Sequence, residues 1–85
     1  MPYIKEEERD HCDPSNIAYS GPHNVGELNY ALTMVCYDYF QLNGGRYQQI
    51  NDILGALEGA KLEFYRRVAA PYENDKIQEN GDVYD

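Results

Sequence analysis

Residues 48–72 read QQINDILGALEGAKLEFYRRVAAPY, and the spacing within them decides the fold. Ile50, Ile53, Leu54, Leu57, Lys61, Phe64 and Val68 recur at i, i+3, i+4 and i+7, the period of one helical face turned toward a core. Gly55 and Gly59 interrupt the side-chain bulk four residues apart, with Ala56 and Ala60 beside them. A glycine inside a helix costs about 1 kcal/mol relative to alanine. Close approach of another backbone is the expected compensation. That backbone belongs either to the chain's own hairpin or to a second chain, and the spacing suits both.

Upstream, Asn43-Gly44-Gly45 stops a helix with residues that accept positive φ. The helix it ends is predicted from about Asn24 to Leu42, with Asn24 as N-cap and Glu27 three residues on in the capping-box position. Leu28, Ala31, Leu32, Val35 and Tyr39 form one apolar row, and Tyr30, Met34 and Tyr37 a second. Two apolar faces on one helix suit a position shared between a hairpin and another subunit. The second helix is predicted from Arg46 to Ala69. Pro71 disfavours helical geometry at Ala70, which predicts a break or kink there, or a short third helix opening at Pro71 and closing at Asn80-Gly81. A short loop between two long helices makes an antiparallel pair.

Residues 1–23 are polar and punctuated by Pro2, Pro14, Gly21 and Pro22. Tyr3 and Ile4 are expected to anchor this arm on the body. Asp13-Pro14-Ser15 reads as an N-cap with proline at the first helical position, predicting a helical turn over 14–19 that Gly21-Pro22 ends. The fold class is therefore all-α: an irregular N-terminal arm (1–23), a helical hairpin domain with a short C-terminal helix (24–80) and an acidic tail (81–85).

Eighty-five residues make one small domain, and such domains often gain stability by assembling. Nine tyrosines and no tryptophan suit half-buried surfaces and interfaces, since the ring supplies apolar area while the hydroxyl keeps a polar partner. The net charge is −8, and it sits at the ends. Residues 1–13 carry five acids against two bases, 72–85 five against one, and 14–71 five against four. This acidity argues against duplex DNA or an anionic membrane as partner, while leaving room for a small anion held by local arginines. No run in the sequence has the apolar length of a signal peptide or a membrane span, so the expected location is a reducing bacterial cytoplasm.

Few residues offer chemistry. His11, Cys12, Asp13 and His23 match no recognised metal spacing and read as solvated polar groups of the arm, so no metal or cofactor is expected. Cys36, inside an apolar helical pattern, reads as a small buried hydrophobe, and its pairing with Cys12 stays open. An all-helical, Mg²⁺-dependent nucleotide pyrophosphohydrolase would need paired acids on one helical face. Glu27 lacks such a partner, Glu58 and Glu63 are five apart, and Asp38 and Asp52 stand singly, which disfavours that enzyme. No nucleophile motif is present, and Gly44-Gly45 lacks the Lys-Ser/Thr of a phosphate loop. The remaining group is Lys61, Tyr65, Arg66 and Arg67, with Arg46 and Tyr47 repeating the pairing of arginine and tyrosine. These are solvated charges in one reading. In the other, arginine forks grip a phosphate or carboxylate while a tyrosine ring stacks on a base or sugar.

The blocks GELNYALT (26–33), YQQINDILGALEGAKLEFYRRVAAPYE (47–73) and NGDVY (80–84) resemble a family of small proteins from bacteria and their phages to which no activity is assigned. The arm before Gly26 departs from that family, which has a longer helical stretch there. A late helix carrying Ala60-Lys61, Arg67 and Pro71 to Glu73 is also similar to phage anti-CBASS sponge proteins, helical oligomers that sequester cyclic oligonucleotides. That similarity assigns no ligand residue to a position of this chain.

These readings converge on a non-enzymatic, phage-type accessory protein with a counter-defence role. It would assemble as a homo-oligomer through Tyr30, Met34, Tyr37, Gly55 and Gly59. It would bind a small anionic ligand such as a cyclic nucleotide through Lys61, Tyr65, Arg66, Arg67, Arg46 and Tyr47. The alternative is an acidic inhibitor or adaptor that docks on a host protein through its charged ends.

Overall fold

The computed structural model describes residues 1–84, and among them the chain is all-α. Its elements are a 3₁₀ turn at Glu6–Glu8, α1 (Arg9–Cys12), α2 (Val25–Leu42), α3 (Tyr47–Phe64), a π-helical turn at Tyr65–Ala69 and α4 (Ala70–Asn80). Contacts divide the chain into two units, Met1–Ile53 and Leu54–Asp85, with the boundary inside α3. No described helix is long and apolar enough to cross a membrane.

In the first unit, α2 begins as its sequence dictates. Asn24 is extended, and its Oδ1 accepts the Glu27 amide at 2.9 Å, satisfying one of the free donors of the first turn. Glu27 closes the box in a wider way than expected. Its Oε1 takes the His23 backbone amide at 3.0 Å and its Oε2 the Asn24 side-chain amide at 3.2 Å. The helix ends in a Schellman stop, where the Gly45 amide reaches back to the Phe40 carbonyl at 2.8 Å. Gly45 must be glycine: its φ is +61°, and a Cβ would meet the Phe40 ring at 3.3 Å. Arg46 then caps α3, its amide donating to Gln49 Oε1 at 3.0 Å. Beyond the loop, the Tyr39 hydroxyl meets Asp52 Oδ2 at 3.2 Å.

The arm differs most from expectation. No helix forms over 14–19; the helical residues are Glu6–Cys12, and 14–18 are turns and a bend. The physical reason lies in Asp13, whose Oδ1 accepts both the amide and the hydroxyl of Ser15. The carboxylate thus closes an Asx turn on its own backbone instead of capping a helix. The loop returns on α1, where the His11 carbonyl accepts the Ser20 and Gly21 amides. Ile4 lies on Gly26 of α2, which a Cβ would approach to 3.3 Å, whereas Tyr3 is exposed and anchors nothing.

That seat is the core. Cys12 is 0 % exposed, Glu27 4 % and Ala31 6 %, and these are the buried residues among those described. Cys36, expected inside, is only half-buried, and both cysteines are free thiols. The Ile50–Val68 row stays open: α3 buries no residue, and Leu54 is 62 % and Phe64 64 % exposed. Nothing lies within 4 Å of a Cβ built on Gly55 or Gly59, so their own unit does not supply the close packing that would offset them.

In the second unit, Pro71 does not break the helix. Proline lacks an amide and its ring crowds the carbonyl four residues back. The backbone accommodates this by widening before it: the Ala70 amide donates to Tyr65 O, an i to i−5 bond, and Ala69 and Ala70 keep helical angles. Helical structure therefore runs through the residues expected to interrupt it, and α4 ends at Asn80 before Gly81 (φ +87°), as predicted. The acidic tail is described as far as Tyr84; Asp85 lies outside the described residues.

The Asn24 cap has a measurable consequence. Asn24→Ala should lower unfolding free energy by about 1 kcal/mol in urea denaturation, with the helical circular dichroism of the folded state unchanged.

Candidate functional site

Two places in the molecule hold chemistry, one in each unit.

The first is the basic and aromatic group singled out from the sequence. Lys61 stands near the end of α3, while Tyr65, Arg66 and Arg67 occupy the π turn. The turn arises because Pro71 needs a wider helix before it, and π turns recur at functional sites. Arg66 Nη2 donates to both Glu63 oxygens at 3.1 Å, and Lys61 Nζ lies 3.9 Å from Glu58. Both pairs are well exposed, and exposed pairs of this kind contribute about 0.3–0.5 kcal/mol. A multiply charged anion competes easily with so weak a partner. The Tyr65 hydroxyl donates to Glu73, and that bond with the Glu73 charge pushes the phenol pKa up. Tyr65 also lines an open groove of about 690 Å³ together with Glu73, Lys76, Ile77, Asn80 and Tyr84. Arg66 and Arg67 do not line it. Arg46 and Tyr47 belong to the other unit, at the start of α3, and are exposed.

The expected interface residues of α2 differ in environment. Tyr30 is half-buried beneath the arm, with the Arg9 guanidinium 5.7 Å from its ring centroid, and burial pushes its phenol up. Met34 is half-buried, and Tyr37 is exposed, accepting from Gln41 Nε2 at 2.8 Å.

The second place is one the sequence reading missed. His11 and Cys12 are not solvated arm residues: Cys12 is fully buried, and His11 Nε2 meets Glu27 Oε1 at 2.7 Å. Ligand atoms of His11, Cys12 and Glu27 all lie within 4.8 Å of one another. The His23 ring centroid is 5.0 Å from that of His11. Hydrogen bonds from His11 and from the His23 amide hold the Glu27 carboxyl below its ordinary pKa despite burial. Burial pushes the Cys12 thiol up, and the Glu27 charge adds to this. The sequence signal was the capping-box Glu27 itself, the residue to which adjacent His11 and Cys12 are brought. Nothing in the spacing showed that the arm folds back that far.

Set beside known proteins, the chain belongs to the family described as a domain of unknown function, DUF6899, which matches residues 1–83. The match takes in the arm that the sequence resemblance left out. No curated protein and no solved structure matches the chain.

Glu27 sets a pH dependence. Its folded-state carboxyl binds a proton less readily than the unfolded one, so its contribution is present above the unfolded value of about 4.3 and is lost as pH falls through the depressed folded value. Thermal melts of chelator-treated protein from pH 7 to pH 3 should show a Tm that declines less steeply on the acid side for Glu27→Gln than for the native chain.

Proposed function

We propose that this protein is a non-enzymatic accessory protein that works as a homo-oligomer and binds a small anionic ligand, a nucleotide being the chemistry that best suits its side chains. The observation that carries this reading is uncovered surface. Leu54, Leu57, Phe64 and Val68 of the apolar row are all exposed, and the bare glycines Gly55 and Gly59 lie beside them. A second copy crossing at Gly55 and Gly59 supplies the close packing that their own unit lacks.

The basic group then falls where a ligand site belongs. Arg66 and Arg67 stand about two turns beyond Gly59, at the polar rim of such a contact. There they are shared between copies while remaining open to solvent. Arginine forks bind phosphate in bidentate fashion, and Tyr65 offers a ring face for a base or sugar.

The competing reading, an acidic adaptor docking through its ends, draws on the charge of residues 1–13 and 72–85. The first of these ends is part of the fold, because Cys12 and His11 close over Glu27. Removing residues 1–13 should therefore disturb folding as well as any partner capture.

Sedimentation equilibrium should return a mass at least twice that of the chain, shifted toward monomer by Gly55→Leu or Leu54→Glu; a monomer at micromolar concentration would overturn the assembly. Thermal shift against a panel of cyclic mononucleotides and oligonucleotides should show stabilisation by at least one member. That stabilisation should be lost in Arg66→Ala/Arg67→Ala, and a panel without effect would sink the ligand reading.

A further inference from the structure

The cluster at the foot of α2 is separate from the surface assigned to assembly and ligand binding, and nothing in that function uses it. We propose that His11, Cys12 and Glu27 form a binding site for a transition-metal dication of the zinc type, with His23 as the fourth donor.

The chemistry of the donors selects the ion. One imidazole nitrogen, one sulfur and one carboxylate oxygen make a borderline-soft set, which suits Zn²⁺ and excludes the all-oxygen preference of Ca²⁺ and Mg²⁺. Geometry is close to what such an ion requires. Tetrahedral zinc with nitrogen and oxygen near 2.0 Å and sulfur near 2.3 Å sets its donors about 3.3–3.6 Å apart. Here the closest pair, His11 Nε2 and Glu27 Oε1, is at 2.7 Å and all three donors lie within 4.8 Å. Each edge is therefore at most about 1.5 Å from its bound length, a change that side-chain torsions supply. The His23 ring, at 5.0 Å from the His11 ring and exposed, is free to turn in as the fourth ligand.

The surroundings are those of a supported site. Glu27 is fixed from behind by the His23 amide on Oε1 and by Asn24 on Oε2, the kind of outer contact that orients a ligating carboxylate. Cys12 is held at the end of α1 with its thiol against the Glu8 and Arg9 carbonyls. On binding, the thiol yields its proton to solvent and ligates as thiolate, and the His11–Glu27 hydrogen bond is exchanged for two bonds to the metal. His11, Cys12 and His23 belong to the arm and Glu27 to α2, so a bound ion ties the arm to α2.

Cobalt tests this directly, because a Co²⁺–thiolate bond absorbs strongly in the near ultraviolet. Full-length Cys36→Ser, treated with chelator, leaves Cys12 as the sole thiol. One equivalent of Co²⁺ should produce the charge-transfer band and tetrahedral visible bands, Zn²⁺ should bleach them, and Zn²⁺ alone should raise Tm. His11→Gln keeps a hydrogen-bonding side chain beside Glu27 and so keeps the fold. It should weaken cobalt affinity at least ~10-fold with metal-free circular dichroism unchanged. Cys12→Ser in the same background should remove the charge-transfer band. No band at one equivalent, or equal affinity in His11→Gln, overturns the proposal.

Discussion

A single buried carboxylate holds the first unit together. Glu27 sits almost wholly out of water, which an ionised group tolerates only when its oxygens are occupied. Its partners come from two pieces of chain: His11 from α1, and the His23 amide and Asn24 side chain from the approach to α2. Satisfying that one charge fixes where α2 starts and where the arm lies. It also carries Cys12 into the most enclosed position in the molecule. The core that results is small, Cys12 and Ala31 beside one carboxylate, so directional bonds supply stability that so little apolar area does not.

The helical segments were legible because their signals are local. Asn24 with Glu27, Asn43-Gly44-Gly45, and Asn80-Gly81 each fix a helix end through bonds a few residues long, and all three ends fall where predicted. The all-α class followed from the same periodicity. What was hidden depends on partners distant in sequence or absent from the chain. Asp13 chose an Asx turn over a cap, an equilibrium between two short-range bonds that composition does not decide. Cys12 rather than Cys36 became the buried thiol, because the arm's return path decides which cysteine is covered. The row of α3 has the pattern of a buried face, yet α3 buries no residue. A periodic pattern states that a face is suited to burial, not which molecule buries it.

Among the candidate residues, the basic and aromatic side chains of α3 and the π turn could be named from the sequence because their chemistry is visible in residue type alone. It did not find the His11–Cys12–Glu27 cluster. Sixteen residues separate His11 from Glu27, and only the folded arm joins them. The two places answer different needs: one is open, cationic and weakly paired, the other enclosed and rich in ligand atoms.

The π turn also sets the phase of everything after it. An uninterrupted α-helix would carry the row of Leu57, Lys61, Phe64 and Val68 on to Pro71 and Asp75, a proline and an acid. One residue inserted at Tyr65–Ala69 advances the count by about 100° of helix. The row is carried instead toward Tyr72 and Lys76, where the Lys76 ammonium lies 5.5 Å from the Tyr72 ring centroid. The widened turn that makes room for a proline thus also realigns two helices' worth of side chains into one track. Deleting a single residue there would put that track out of step without removing any of its members.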